Sequence, residues 1–199
     1  MDGKINFYTL GRDVAIKRKI PSKRLFSTFQ ISRNLDYKSL LENIDDLYSY
    51  LVTEYEKNLE TVPLSASWIL DNYYLINQQS AVFPETFKSS ILSKLPLSEY
   101  DKVYFQIHYI AKKYLEAVSY NFSEETLIPF LKGYQKIYPL SSLELWTLPT
   151  MIKFELFSSI LERGLEIKEK IENSKLAEAI VKDISLDIDK GKNPVRRVR

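Results

Sequence analysis

The sequence holds no cysteine, one histidine and only five glycines in 199 residues. Without cysteine there are no disulfides and no thiolate chemistry, and the composition is compatible with a reducing compartment. The lone histidine, His108, excludes a histidine-rich metal site. An excess of one charge is missing too: 28 basic residues face 26 acidic ones, a net charge of +2 that gives no global field to steer the chain onto nucleic acid or an anionic membrane. No stretch approaches the roughly 18 uninterrupted apolar residues of a membrane span. The opening Met1-Asp2-Gly3-Lys4 lacks the apolar core of a signal peptide, so a water-soluble, cytoplasmic chain is expected.

What is present is apolar periodicity. With 45% hydrophobic residues the chain is long enough for one full core, and one domain is the default expectation. Leu40, Leu41, Ile44, Leu47, Tyr48, Leu51, Val52, Tyr55 and Leu59 recur at three- and four-residue steps from about Asp36, the pattern of one helix face. After Pro63, Ser65 is placed to cap a helix whose inward stripe would be Trp68, Ile69, Asn72, Leu75 and Ile76. Pro84 opens a shorter helix with Phe87, Ile91, Leu92 and Leu95, and Val103 to Val118 forms the cleanest amphipathic run, a central helix carrying Tyr104, Ile107, His108, Ala111, Tyr114 and Leu115. Ser123 caps the next helix, with Pro129 expected to kink it or tighten its first turn. Ser141 and Glu144 form a capping box ahead of a helix with Leu145, Trp146, Ile152, Leu156, Phe157, Ile160 and Leu161 on its face, bent at Pro149 and ended by Gly164. Residues 165–184 alternate in charge and read as a solvated helix.

The fold class expected is therefore all-α, a bundle or array of about six to seven helices. Residues 1–35 would form an N-terminal arm, extended or a short hairpin around Gly11-Arg12-Asp13; residues 36–184 the helical domain; residues 185–199 a charged tail or linker.

Chemical candidates are few. Asp187-Ile188-Asp189 has the Asp-x-Asp spacing that holds a divalent metal in many glycosyltransferases, but no strand precedes it and a solvated charge run is its default reading, so no metal and no cofactor are expected. His108 sits on an apolar face, as a core or groove residue bonded to a neighbour. Glu144 with Asp71 would suit the paired carboxylates of a glycosidase, although capping already accounts for Glu144. Asp71 and Asn72 beside Trp68 need polar partners, expected at another helix end such as the start of the Trp146 helix. Trp68, Trp146 and the 14 tyrosines suit either a core or a sugar-stacking platform. The basic clusters Lys17-Arg18-Lys19, Lys23-Arg24 and Arg196-Arg197 read first as solvated surface.

Two linked motifs hold both tryptophans: Pro63-Leu64-Ser65-Ala66-Ser67-Trp68-Ile69-Leu70-Asp71-Asn72, and Tyr134-Gln135 followed by Pro139-Leu140-Ser141-Ser142-Leu143-Glu144-Leu145-Trp146-Thr147-Leu148-Pro149. With Val103-Tyr104 between them, residues 40–161 resemble the helical segment ahead of the membrane-embedded transferase region of cyclic β-1,2-glucan synthases. That family shows Pro-Leu-Ser-x-Ala-Ala-Glu-Trp-Leu-Leu-Asp-Asn, Gly-Tyr-Pro-Arg-Val-Tyr and Tyr-Gln-x-Val-x-Pro-Leu-Thr-Ile-Gly-Glu-Leu-Trp-Ala-Leu-Pro in this order. Ser67 stands in place of its glutamate, Leu143 in place of a glycine, and Glu99-Tyr100-Asp101-Lys102 in place of Gly-Tyr-Pro-Arg, as in a diverged member.

The resemblance implies a role in making β-1,2-glucan from UDP-glucose. Several membrane spans, an Asp-x-Asp on a strand and a Gln-x-x-Arg-Trp motif carry the transfer in that family; these residues supply none of them. The implied role is a non-catalytic helical scaffold, with the transferase or membrane region of the same or a partner synthase as its partner and β-1,2-glucan as a second candidate ligand. It would act at the inner face of the inner membrane. Trp68, Asp71, Asn72, Tyr104, Tyr134, Gln135, Glu144 and Trp146 are its candidate interdomain or glycan-contact residues. A stand-alone carbohydrate-binding or protein-interaction module, or an independent glycosidase, are the alternatives.

Overall fold

The computed structural model describes residues 5–17, 35–57, 63–98 and 104–189, and over these the protein is all-α, with no strand among the described residues. The helices are α1 (Phe7–Ile16), α2 (Tyr37–Lys57), α3 (Leu64–Ser80), the single turns α4 (Phe83–Thr86) and α5 (Ser89–Leu92), α6 (Gln106–Ala117), α7 (Glu124–Gln135) and α8 (Ser142–Asp189). Among the described residues the one extended pairing is an isolated antiparallel bridge between Leu97 and Phe105, just ahead of α6. No helix among the described residues is long and apolar enough to cross a membrane.

Within the segment expected as an extended arm or short hairpin, residues 7–16 are helical instead, while residues 18–34, with the basic clusters they carry, lie outside the described residues. Asn6 caps α1, its side chain accepting from the Thr9 amide at 3.1 Å. What holds ten residues as a helix is the surface they lie on, because so short a helix is marginal alone. α1 crosses α7 at two glycines. A Cβ placed on Gly11 would stand 1.9 Å from the Phe130 carbonyl oxygen, and one placed on Gly133 would stand 1.9 Å from that of Tyr8. Each helix thus offers a bare Cα to the other's backbone, the approach that Cα–H···O contacts accompany.

Other starts follow the sequence. Asp36 accepts from the Ser39 amide at 3.1 Å to open α2, and Ser123 from the Glu125 amide at 3.2 Å to open α7. α3 begins at Leu64, so Ser65 lies inside it. α7 continues through Pro129 and α8 through Pro149. α8 also passes Gly164, which was expected to end it, and runs on over 48 residues to Asp189, taking in residues 185–189 that were assigned to a tail. Gly164 is needed for space: a Cβ there would meet the Leu47 side chain at 2.2 Å and that of Ile69 at 3.2 Å.

The chain forms two compact units. The first comprises Met1–Glu42 and Tyr74–Ser159. Its core joins Tyr37, Phe83, Phe87, Phe154 and Phe157 in edge-on, tilted and stacked contacts with ring centroids 5.4–6.2 Å apart. The Tyr114 hydroxyl ties α6 to the start of α7, lying 2.8 Å from both the Ser123 carbonyl and the Thr126 hydroxyl. Between those helices the chain turns through Ser119 and Tyr120, both at positive φ.

The second unit comprises Asn43–Tyr73 and Ile160–Arg199. Leu47 and Leu51 of α2, Ala66 and Ile69 of α3 and Ile171 of α8 make its core, with Tyr50, Leu70, Ile160, Leu161 and Ile167 packed around them. Tyr48 and Tyr73 stack at 3.8 Å, and the Tyr73 hydroxyl donates to the Asp45 carboxylate at 2.7 Å.

Candidate functional site

Both tryptophans point outward, each 52% exposed. On α3 the inward positions are Ala66, Ile69 and Ile76; Ile69 and Ile76 lie where the expected stripe puts them, whereas Trp68 and Leu75 are exposed and Asn72 is half-buried. On α8 the inward positions are Glu144, Thr147, Leu148 and Met151, leaving Leu145 and Trp146 outside. In both helices the indole lies a residue or two off a fully buried small residue, Ala66 or Thr147. Asn72 finds its partner within its own helix, donating to the Trp68 carbonyl at 2.8 Å rather than to another helix end. Asp71 is exposed.

The capping box at the head of α8 is formed in full. Glu144 Oε2 accepts from the Ser141 amide at 2.9 Å and the Ser141 hydroxyl at 2.8 Å, while the Glu144 amide donates back to Ser141 Oγ at 3.2 Å. The Glu144 side chain is buried, and its Oε1 has no partner among the described residues. A carboxylate held this way is committed to the helix start. Asp71 belongs to the second unit and Glu144 to the first.

Tyr134 is fully buried on α7, where its hydroxyl receives the Gln106 amide group from α6; Gln135 beside it is half-buried. Tyr104 stands ahead of α6, its ring set edge-on to that of His108 with centroids 4.9 Å apart. Glu99 to Val103 lie outside the described residues; just before them, the Ser98 amide donates to the Tyr104 carbonyl at 2.7 Å.

The most concentrated polar chemistry in the first unit is a pair that periodicity did not reveal. His108 Nε2 meets Glu155 Oε1 at 2.5 Å, 47 residues away along the chain. Their side chains are 2% and 9% exposed. Phe154 closes one side with its ring 5.6 Å from the imidazole, and Lys112 reaches the Tyr104 hydroxyl at 3.4 Å. Burial works to lower the Lys112 pKa, but Glu155, Tyr104 and Glu116 outweigh it, so the net shift is upward and the ammonium is retained. His108 Nδ1 has no partner among the described residues. A carboxylate-oriented imidazole is the geometry of a general base. At this burial a substrate has no access to it, and the pair acts to pin α6 to α8. The sequence signal was Glu155 itself, an acid inside the inward run Met151 to Phe157.

The second unit has its own buried acid. Glu54 of α2 is 3% exposed and ion-paired to Lys175 of α8, with Lys57 at 3.3 Å on its other oxygen. The Lys175 hydrogen bond, aided by Lys57 and opposed by burial, holds the Glu54 carboxyl below the usual range. Burial, then the Glu54 charge, push the Tyr50 phenol up, and Lys168 lies over the Tyr50 ring at 4.7 Å. Among the described residues no group of three or more His, Cys, Asp or Glu is placed to hold a metal, and Asp187 to Asp189 continue the helical backbone of α8.

The arrangement is one of outward aromatics on helices whose polar interior groups are engaged in holding the fold. No family model matches the chain, and no curated protein matches it.

Proposed function

We propose that this chain is a non-catalytic helical module of a cyclic β-1,2-glucan synthase-like system, contacting the transferase or membrane region of the synthase from the cytoplasmic side. The observation that carries the reading is the shared design of the two tryptophan motifs. In each, the indole is half-exposed and flanked by buried positions on the same helix: Ala66 and Ile69 about Trp68, Glu144 and Thr147 about Trp146. Exposed tryptophan offers a large rigid contact surface with one donor, the kind of residue that anchors interfaces. The commitment of Glu144 to its cap favours this over a glycosidase that would need that carboxylate for proton transfer.

The test is genetic and biochemical. Removing the coding region in the native host should lower β-1,2-glucan output; the wild-type chain should restore it and the W68A/W146A variant should not. Unchanged output on removal, or full rescue by the variant, overturns the proposal. The purified chain is expected to turn over no UDP-glucose.

The exposed indoles also favour a second reading, direct contact with the glycan, because an aromatic face suits a pyranose ring. Titration with β-1,2-glucan would then quench tryptophan fluorescence, and a flat titration removes this reading.

A further inference from the structure

α8 outruns the core it packs on. Ile171 is its last buried residue among those described, and Lys175, ion-paired to Glu54, is its last tether. From Glu172 to Leu186 every side chain is exposed. Residues 176–189 remain helical, a length of about 21 Å at roughly 1.5 Å per residue. A free helix of this size is marginal in water.

This overhang is not polar all round. Leu176, Ile180 and Ile184 follow one another at four-residue steps and form one exposed stripe, with Leu176 60% and Ile180 52% exposed. At about 100° per residue, Ala177 and Val181 fall along one edge of the stripe and carry no charge. Glu172, four residues before Leu176, and Asp183, three after Ile180, fall on the opposite edge. Glu178 and Lys182 lie on the far side of the helix, and Lys175 is already engaged by Glu54. The apolar face therefore has one acidic border and one neutral one.

We propose that this stripe docks an amphipathic helix of a partner protein whose apolar face is bordered by lysine or arginine. Packing such a helix covers Leu176, Ile180 and Ile184 and sets cations against Glu172 and Asp183, supplying both the burial and the charge balance the overhang lacks. A second copy of this chain fits less well. Antiparallel pairing sets the acidic border against itself, and parallel pairing sets it over Ala177 and Val181, so neither neutralises the carboxylates. The proposal does not depend on the glucan synthase resemblance.

The experiment uses the full chain and two labelled synthetic helical peptides of about 18 residues, five turns. Both carry the same leucine stripe; one is bordered by lysine, the other by glutamate. Fluorescence anisotropy should show the lysine peptide binding at least about tenfold more tightly, with the preference shrinking in about 1 M salt, where the screening length falls to about 3 Å. L176E/I180E should lower that affinity at least about tenfold, and E172K/D183K should reverse the order of the two peptides. All four substitutions lie beyond Ile171, so circular dichroism should show an unchanged fold. Equal binding of both peptides, binding of neither, or sedimentation of the chain as a dimer that L176E/I180E dissolves would each overturn the proposal. None of these outcomes bears on glucan output, so this inference and the proposed function fail separately.

Discussion

Replacing Gly133 with alanine sets two well-characterised effects against each other. In a helix interior alanine is favoured over glycine by about 1 kcal/mol, so local propensity alone makes Gly133→Ala stabilising. The α1–α7 crossing says the opposite. The new methyl would sit 1.9 Å from the Tyr8 carbonyl oxygen, a backbone atom that cannot swing aside as a side-chain end can. Ordinary carbon–oxygen contact needs about 3.3 Å, so α1 must recede by about 1.4 Å. A gap of even about 1 Å forfeits up to half of the dispersion energy of the contacts it opens, and overpacking typically costs about 1–3 kcal/mol. With receding of this size the upper part of that range applies, and the net expectation is a loss of about 2 kcal/mol after the propensity gain. For a chain of this length that lowers the melting temperature by about 4–8 °C if the first unit unfolds as one. If α1 detaches on its own, faster amide exchange confined to residues 7–16 reports the same event. Gly11→Ala should behave alike, since its methyl meets the Phe130 oxygen at the same distance, and the double variant should cost less than the sum because the first substitution already moves α1. Gly164→Ala is the control: its nearest neighbour is a Leu47 methyl, which can shift. An unchanged or raised melting temperature for Gly133→Ala would refute the reasoning.

Glu54 should make the second unit sensitive to acid. Its folded carboxyl is held below the usual range by Lys175, so the stabilisation is present above the ordinary carboxylate range and is lost as the pH falls through the lowered folded value. Urea unfolding should show wild type more stable than Glu54→Gln at neutral pH, with the gap closing in strong acid; a pH-independent gap would exclude the linkage. In the first unit, Glu155→Ala strands a buried imidazole and should cost about 1–3 kcal/mol, with a double-mutant cycle against His108→Ala giving a coupling of about 1 kcal/mol or more. Additive single losses would show that the pair is only adjacent.

The helical periodicity was legible because it depends on neighbours three and four residues apart. The stripe through Leu40, Leu47 and Leu51, the buried Ile107, Ala111, Tyr114 and Leu115, the Ser123 cap and the Ser141–Glu144 box all lie where the pattern puts them. What was hidden depends on distant neighbours. Residues 7–16 alternate well enough to pass for a hairpin, and only the surface of α7 makes Gly11 an asset inside a helix. Gly164 reads as a terminator until Leu47 is known to press against it. Helical period alone leaves Trp68 and Trp146 open to core or surface, and the fold turns both out while burying Ala66 and Thr147 beside them. The candidate residues are accordingly divided: Tyr134 and Glu144 serve the interior, and the two tryptophans face out. His108 with Glu155, and Glu54 with Lys175, join positions 47 and 121 residues apart, which no local pattern encodes.

The glycine crossing also sets a timetable. Gly11 and Gly133 are 122 positions apart, counting from 11 to 133, so a ribosome has to add that much chain before α1 has its seat. At roughly 5–20 residues per second, α1 waits at least about 6 to 24 seconds. Through that interval its ten residues are too short to persist as a helix, and Val14 and Ala15, buried in the finished unit, have nothing to pack on. α1 is therefore open to a nascent-chain chaperone throughout that interval, and slowing synthesis between the codons for Lys17 and Gly133 should lengthen its exposure to protease in direct proportion.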